Sequence, residues 1–264
     1  MSYSVHALPE GIFSVGKDKR FFRIGKNDPP AKGALKVALN PFLIQTPDEN
    51  ILIDTGLGSF GEDNHYEIML QNLEAHGLSE IDISTIYLSH LHYDHTGGLI
   101  HTSRGFPELA FPDAEVYLLG KGWERARQTN HPDGPGMEFF DFIEARAQLN
   151  FTDEVNGGIK YISTKTIGGH TMYSQLIEIK IKDQLFLMAG DVLASKGAVN
   201  RKYVAKYDFD GKKSMELRQQ ICERAYKEKA IILAYHDTEH PMFMLTDYNP
   251  DKGYAITNIE EYNG

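Results

Sequence analysis

Short apolar runs that end on polar, ligand-type residues recur along this chain. Residues 40–56, NPFLIQTPDENILIDTG, predict a strand, a turn and a second strand, with Asp54 at the end of the second strand. Residues 173–191, YSQLIEIKIKDQLFLMAGD, predict a second hairpin that ends in the same way on Asp191. Two parts of the chain therefore place a carboxylate at an equivalent position.

Each predicted hairpin is followed by a helical pattern and then by an apolar strand. Apolar residues recur at helical spacing over residues 65–78 and 211–229, which predicts two helices. Strands are predicted over residues 83–90 and 230–236, and both of these runs end on a histidine. The repeated order of hairpin, helix and strand indicates an internal duplication.

The duplication predicts an α/β (α+β) fold in which two αβ halves pack as a four-layer αβ/βα sandwich. We expect a single domain over residues 1–264, with halves at roughly residues 1–150 and 151–264, because no linker or shift in composition divides the chain. The functional site is then expected between the halves, at strand ends whose loops are free to vary while the sheets hold them.

Composition and charge narrow the classes of partner. The formal charge is −10, and no Lys/Arg-rich run stands out, so neither nucleic acid nor an anionic membrane is expected as a partner. No apolar run approaches the length of a membrane span, and the first residues do not read as a secretory signal. We therefore expect a cytoplasmic protein, and a homodimer is left open.

The single cysteine, Cys222, cannot form an internal disulfide, which agrees with a reducing compartment. It lies in the apolar pattern of the second predicted helix. A nucleophilic thiol is one interpretation, but a small apolar residue on a buried helix face is the simpler one.

The stretch YLSHLHYDHTGG carries the densest group of metal-ligand types in the chain. In an extended segment alternate side chains face the same way, so His90 and His92 can bind one ion together. Asp94 and His95 follow where the chain must turn and can reach a second position, and a helix is expected after the paired glycines. A solvated His-rich loop is the alternative, but four ligand types at this spacing favour a metal site.

Other ligands must come from distant segments, because four residues are too few for two ions. His170 follows a β-branched run and a glycine pair, Asp191 ends a buried apolar strand, and His236 ends the last apolar strand of the second half. Each alone has a structural explanation, such as a histidine bonded to a backbone carbonyl. Their common position at strand ends favours a shared role in the site.

This combination resembles the metallo-β-lactamase superfamily, whose HxHxDH motif matches the residues from His90 to His95, and the resemblance covers nearly the whole chain. It implies two divalent ions, with Zn²⁺ as the first choice and Mn, Fe or Co as alternatives. It implies the following ligands: His90, His92 and His170 for one ion; Asp94, His95 and His236 for the other; and Asp191 as a bridge. Asp54 would then orient the ligands without binding a metal ion.

Two such cations lower the pKa of a shared water toward about 7, and Asp94 is the residue expected to move its proton. The local motifs most resemble quorum-quenching N-acyl homoserine lactonases, which implies hydrolysis of a small ester, preferably a lactone. Those lactonases commonly carry a tyrosine three residues after the bridging aspartate, where this chain has Ala194. Tyr203, a substrate-binding candidate, or Tyr207 would have to replace it from the following loop.

Two other activities of the same superfamily stay open. One is hydrolysis of phosphotriesters by a two-metal site. The other is a persulfide dioxygenase, an oxidoreductase that uses a single iron bound by two histidines and an aspartate. The complete ligand set favours two metal ions, and the number of ions per chain distinguishes the two classes.

Substrate selection is expected from segments outside the predicted core. Residues 127–151 combine a Pro/Gly-rich turn with several phenylalanines, so Phe139 and Phe140 are candidates for an apolar wall of the substrate site. A surface loop that packs its own aromatic residues is the alternative. His240 follows the last candidate ligand closely enough to line the same pocket, whereas His131 is expected to face solvent.

Overall fold

The computed structural model describes residues 3–61, 64–129, 134–152 and 160–264, so His131 lies outside the described residues. The strands are β1 Ser4–Ala7, β2 Gly11–Val15, β3 Phe21–Ile24, β4 Leu35–Leu39, β5 Phe42–Gln45, β6 Asn50–Ile53, β7 Thr85–Tyr87, β8 Ile100–Ser103, β9 Phe106–Leu109, β10 Glu115–Leu118, β11 Gln148–Phe151, β12 Ile162–Thr166, β13 Gln175–Ile181, β14 Gln184–Met188, β15 Ile231–Leu233, β16 Met242–Asn249, β17 Gly253–Asn258 and β18 Tyr262–Asn263. The helices are α1 His65–Ala75, α2 Tyr93–Thr96, α3 Gly120–Thr129, α4 Met137–Arg146 and α5 Gly211–Glu228. Within these described ranges no helix is both long and apolar enough to cross a membrane.

Two mixed sheets form the centre of the protein. The first has the order β11-β10-β7-β6-β5-β1-β18, and the second has the order β12-β13-β14-β15-β16-β17. In the first sheet the hairpin β5–β6 is antiparallel and β7 pairs parallel to β6; in the second, β13–β14 is antiparallel and β15 pairs parallel to β14. This is the repeated order that the sequence predicts, although β18 returns from the end of the chain to join the first sheet.

The two faces of each sheet pack against different partners. In β6, Ile51 and Ile53 lie in the core between the sheets, whereas Leu52 packs outward with Leu73 of α1. Strand β15 alternates in the same way between the inner core and the layer that contains α5. Cys222 lies buried in that outer layer, as predicted. The predicted four-layer αβ/βα sandwich is confirmed.

Two predicted elements differ from the structure. The strand expected over residues 83–90 is present only as β7, because the Ser89 amide donates to the side chain of Asp54 instead of to a neighbouring strand. The helix expected after the paired glycines was wrong: α2 comes before them and carries Asp94 itself. A Cβ on Gly98 would lie 1.9 Å from the carbonyl oxygen of Thr55, so this glycine allows two backbones to meet closely.

Candidate metal centre

The structure brings the predicted ligands together at one end of the two central sheets. They come from the loop after β7, from α2, and from the segments that follow β12, β14 and β15. Their side chains form overlapping groups whose ligand atoms lie within 4.8 Å of one another: His90, His92 and His170; His90, His95 and Asp191; Asp94, His95 and His236.

The first group consists of three imidazoles. Nε2 of His90 lies 3.1 Å from Nδ1 of His92, and Nε2 of His170 lies at the same distance from that atom. His90 and His170 are buried and His92 is half-buried. Three ring nitrogens that meet at one point give a nitrogen-rich site for a borderline cation such as zinc.

The second group combines a carboxylate with two imidazoles. Oδ2 of Asp94 lies 3.6 Å from Nε2 of His95 and 3.5 Å from Nε2 of His236. All three residues are buried. A buried aspartate between two histidines is the mixed oxygen and nitrogen donor set that divalent transition metals take.

Asp191 lies between the two groups. Its Oδ1 is 3.2 Å from Nε2 of His95 and 3.1 Å from Nε2 of His236, and its Oδ2 is 3.3 Å from Nε2 of His170. Nε2 of His95 and Oδ1 of Asp191 are buried, and neither atom has a hydrogen-bond partner of good geometry within the described part of the chain. Buried polar atoms are normally satisfied, so the donor set fits divalent ions on both sides of this carboxylate.

Asp54 forms a hydrogen bond with His95 of the second group. Its Oδ2 lies 2.7 Å from Nδ1 of His95 and accepts a hydrogen bond of the same length from Oγ of Ser89, while Oδ1 accepts from the Ser89 amide. Oγ of Ser89 is also 3.0 Å from Nδ1 of His90. Asp54 therefore fixes the ring orientation of one histidine directly and of another through Ser89.

The remaining histidines are oriented by other partners. Nδ1 of His170 lies 2.8 Å from Oδ1 of Asp208, and Nδ1 of His236 donates to the carbonyl oxygen of Ala38 at 2.8 Å. Each contact leaves Nε2 of the same ring facing Asp191. Sequence reasoning missed Asp208 and Ser89, since Asp208 is 38 residues from its partner and nothing in the local pattern marks it.

The surroundings of the ligand residues shift their pKa values in different directions. Burial and the neighbouring imidazoles lower the pKa of His90 well below its ordinary value, so its ring is neutral and able to bind a metal. Burial opposes ionisation of Asp191, but three histidines around it hold its pKa well below the usual range. Burial also opposes protonation of His95, but Asp94, Asp54 and Asp191 raise its pKa, so protons compete with a metal there.

A cavity of about 350 Å³ opens beside the first group. His92 and His170 form its polar end, and its walls come from one face of α3, from residues before and within α4, and from two loops. The lining consists of Leu91, His92, Gly122, Arg125, Ala126, Thr129, Gly134, Gly136, Phe140, His170, Thr171, Met172, Tyr173, Tyr207, Asp208 and Phe209. Most of this surface is apolar, as is usual for a small-molecule site.

The two phenylalanines predicted for the pocket lie in different places. Phe140 lines the cavity. Phe139 is buried beside it, with its ring centroid 6.0 Å from that of Phe60, and is not part of the lining. The two rings point in different directions because the residues are adjacent on α4.

The other predicted pocket residues do not line the cavity. His240 pairs with Glu260, with 3.0 Å between Nδ1 and Oε1. The ring of Tyr203 lies under the guanidinium group of Arg218 at 4.2 Å. Of the two tyrosines in this loop, Tyr207 is the one that lines the cavity.

Comparison with known proteins finds similarity over most of the chain. Residues 37–241 match the Metallo-beta-lactamase superfamily. Among characterised proteins, the human (Homo sapiens) acyl-coenzyme A thioesterase MBLAC2 is 26% identical over 243 residues, which is 87% of this chain and 80% of the thioesterase.

Two solved structures share the fold over nearly all of both chains. A probable metal-dependent hydrolase from Staphylococcus aureus aligns with a TM-score of 0.76 at 19% identity, over 98% of this chain and 97% of the other. AidC, a dizinc quorum-quenching lactonase, aligns with a TM-score of 0.75 at 19% identity, over 97% and 94%. At this identity the two structures establish the shared fold.

Proposed function

This chain belongs to the metallo-β-lactamase superfamily, and we propose that, as a metal-dependent hydrolase, it cleaves the acyl bond of a small lactone or an acyl thioester. The observation that carries the proposal is the position of Asp191, whose two oxygens face two separate groups of ligands. A carboxylate placed in this way suits a pair of ions that act on one substrate.

Two bond types are retained because separate findings favour them. Similarity over 87% of the chain to a protein named as an acyl-coenzyme A thioesterase favours a thioester. The fold shared with a dizinc lactonase, together with the SHLHYDH motif, favours a lactone such as an N-acyl homoserine lactone. Both substrates contain an activated acyl carbon, so one arrangement of residues serves either.

The residues divide between the two ions as follows. His90, His92 and His170 would hold one ion, Asp94, His95 and His236 the other, and Asp191 would bridge them. When bound, two such ions lower the pKa of a shared water and polarise the substrate carbonyl. Zinc suits this donor set best, and manganese, iron or cobalt can take the same ligands.

Asp94 is the residue that we assign to proton transfer. Its Oδ2 faces His95 and His236, which leaves Oδ1 able to hydrogen-bond the attacking water. Asp94 would take the proton of that water and pass it to the leaving oxygen or sulfur. No separate nucleophile from the chain is needed for this chemistry.

Tyr207 is the candidate for the hydroxyl that is missing at Ala194. It lines the cavity, and its ring centroid lies 6.1 Å from that of His170. Burial, and then the neighbouring Tyr203, Asp191 and Asp208, raise the pKa of Tyr207 above its ordinary value of about 10, so its hydroxyl stays protonated at neutral pH and can donate to a carbonyl oxygen. We assign to Tyr207 the hydrogen bond that orients the substrate carbonyl at the first group of ligands.

The proposal is tested on protein that has been stripped of metal and reloaded with zinc or cobalt. The panel contains an N-acyl homoserine lactone, an acyl-coenzyme A, a phosphotriester and glutathione persulfide. We expect turnover of the lactone or the thioester that disappears with a chelator, returns with metal and is lost in Asp94→Asn. Oxygen uptake with the persulfide, or turnover of the phosphotriester alone, would refute the proposal.

A further inference from the structure

One face of α3 forms part of the cavity wall. The lining residues Gly122, Arg125, Ala126 and Thr129 follow the spacing i, i+3, i+4 and i+7, so they share one side of the helix. Trp123 points the other way and packs in the outer core. The helix therefore presents a single long charged side chain to the cavity.

Arg125 differs from the other charged groups around it. Arg127, on the same helix, is paired with Asp141 at 2.9 Å and with Glu144. Asp208, the carboxylate in the cavity lining, is committed to His170 at 2.8 Å. Among the described residues, no hydrogen bond or ion pair engages the guanidinium group of Arg125.

An arginine that has no ion pair with any described residue, and that lines a ligand cavity, is suited to an anionic ligand. A guanidinium group binds carboxylate and phosphate through two parallel hydrogen bonds, and these charge-assisted bonds are stronger than neutral ones. The chain carries a formal charge of −10, so its net charge does not attract an anionic ligand and a local positive group such as Arg125 is needed to bind one.

We infer that the substrate of this enzyme carries a second, anionic group, a carboxylate or a phosphate, which Arg125 binds while the acyl carbon lies at His92 and His170. The inference rests on the proposed function and specifies its substrate class. A cavity of about 350 Å³ is at the small end of ligand sites, so one small molecule can contact Arg125 and the two lining histidines at the same time. Arg125 is thus a specificity-determining residue.

The test compares substrates that differ only in the anionic group. S-succinyl-N-acetylcysteamine differs from neutral S-butyryl-N-acetylcysteamine by a carboxylate on the acyl side. S-butyryl-4′-phosphopantetheine differs from neutral S-butyrylpantetheine by a phosphate on the leaving group. We expect kcat/KM of the metal-loaded enzyme to favour one anionic substrate over its neutral counterpart by about tenfold, a moderate value because Arg125 is exposed.

Three variants separate charge from position. Arg125→Ala is expected to abolish the preference, and Arg125→Lys to retain about a third of it, because lysine keeps the charge without the planar fork. Arg146→Ala is the matched control, since this exposed arginine ends the neighbouring helix α4 and does not line the cavity. It is expected to keep the full preference.

The failures of the two proposals are distinguishable. If neither these thioesters nor a lactone is hydrolysed, the proposed function fails. If substrates are hydrolysed with the same ratio by the wild type and Arg125→Ala, only the inference about the anionic group is overturned. Calorimetry with the corresponding uncleaved amides measures the same preference without turnover, and equal affinities for charged and neutral amides would overturn it as well.

Discussion

Asp54 shows how much of the site depends on a residue that holds no metal. Its side chain is fully buried, and its backbone adopts a left-handed conformation with φ of 58°, which few residues other than glycine accept. Aspartate is among those few. The conformation aims the carboxylate at Ser89 and His95, where it accepts three hydrogen bonds from groups that orient the ligands.

Replacement of Asp54 by asparagine tests this role. An amide would place a donor against Nδ1 of His95 and Oγ of Ser89, so we expect metal affinity to fall by about 10- to 100-fold while the fold is retained. A competition titration against a chelating indicator measures the change. Asp113→Asn removes an exposed carboxylate and is the control. Equal affinity in the two variants would show that Asp54 has no part in metal binding.

Tyr207→Phe tests the assignment of the carbonyl donor. Loss of one hydrogen bond that acts on the reacting carbonyl is expected to lower kcat/KM by about 100-fold, with the bound metal unchanged. Tyr248→Phe is the control, because Tyr248 is an exposed residue of β16 and is not part of the cavity lining. An unaltered kcat/KM in Tyr207→Phe would show that Tyr207 does not replace the tyrosine that is absent at position 194.

At the level of single residues, the sequence predicts ligands better than it predicts their surroundings. Ligand residues follow strands in recognisable order, so His170 and Asp191 are visible in the pattern before the structure is known. Cavity residues such as Arg125 and Tyr207 lie on segments whose direction depends on tertiary packing. Neighbouring phenylalanines on α4 divide between core and cavity for the same reason.

At the level of elements, the two loops that follow β6 and α2 are in direct backbone contact. The turn from Asp54 to Gly58 packs against the end of α2, and a Cβ on Gly97 would lie 2.2 Å from the carbonyl oxygen of Leu57. The amide of Leu57 donates to Oε2 of Glu10, which is paired with His65 at 3.0 Å. Buried Glu10 thus supports the turn from which Asp54 projects.

Gly98→Ala tests this contact. The added methyl group would lie 1.9 Å from the carbonyl oxygen of Thr55, so the loops must separate. We expect a loss of about 3 kcal/mol in stability, which corresponds to a fall in Tm of about 5–10 °C. Thermal unfolding measures it, and Gly197→Ala, whose Cβ would meet its nearest atom at 3.7 Å, is the control. If both variants have the same Tm as the wild type, the two loops are not in tight contact at Gly98.

The order of elements follows from periodicity, whereas their boundaries do not. Hairpins and helices appear where alternating and helical spacing predict them, and α5 covers nearly all of the stretch predicted over residues 211–229. Strand β7 is shorter than its apolar run because the backbone leaves the sheet to reach Asp54. Helix α2 is too short for any periodic pattern to reveal.

At the level of the whole molecule, the site joins the two halves of the sandwich. Helix α2, which follows β7 of the first sheet, supplies Asp94 and His95, while the segments beyond β12, β14 and β15 of the second sheet supply His170, Asp191 and His236. Contacts between ligand groups therefore link segments that are distant in sequence. Metal ions bound at this junction stabilise the folded state, because the unfolded chain does not hold the ligands together.

Removal of metal is expected to lower the thermal stability of the protein. Each ion at a free concentration of 100 Kd contributes about 2.7 kcal/mol, so two ions raise Tm by about 10 °C. Thermal unfolding with and without a chelator measures this difference. A variant with both His90→Ala and His170→Ala loses one group of ligands and should show about half the shift. An equal Tm with and without chelator would show that metal binding does not stabilise the folded protein.

Asp191 is proposed to join two metal positions in one chain. The most direct measurement is the zinc content of metal-free protein after equilibrium dialysis against zinc, determined by mass spectrometry relative to protein concentration. Two ions per chain are predicted, because two groups of ligands face the two oxygens of this carboxylate. A ratio of one ion per chain would show that Asp191 does not join two metal positions.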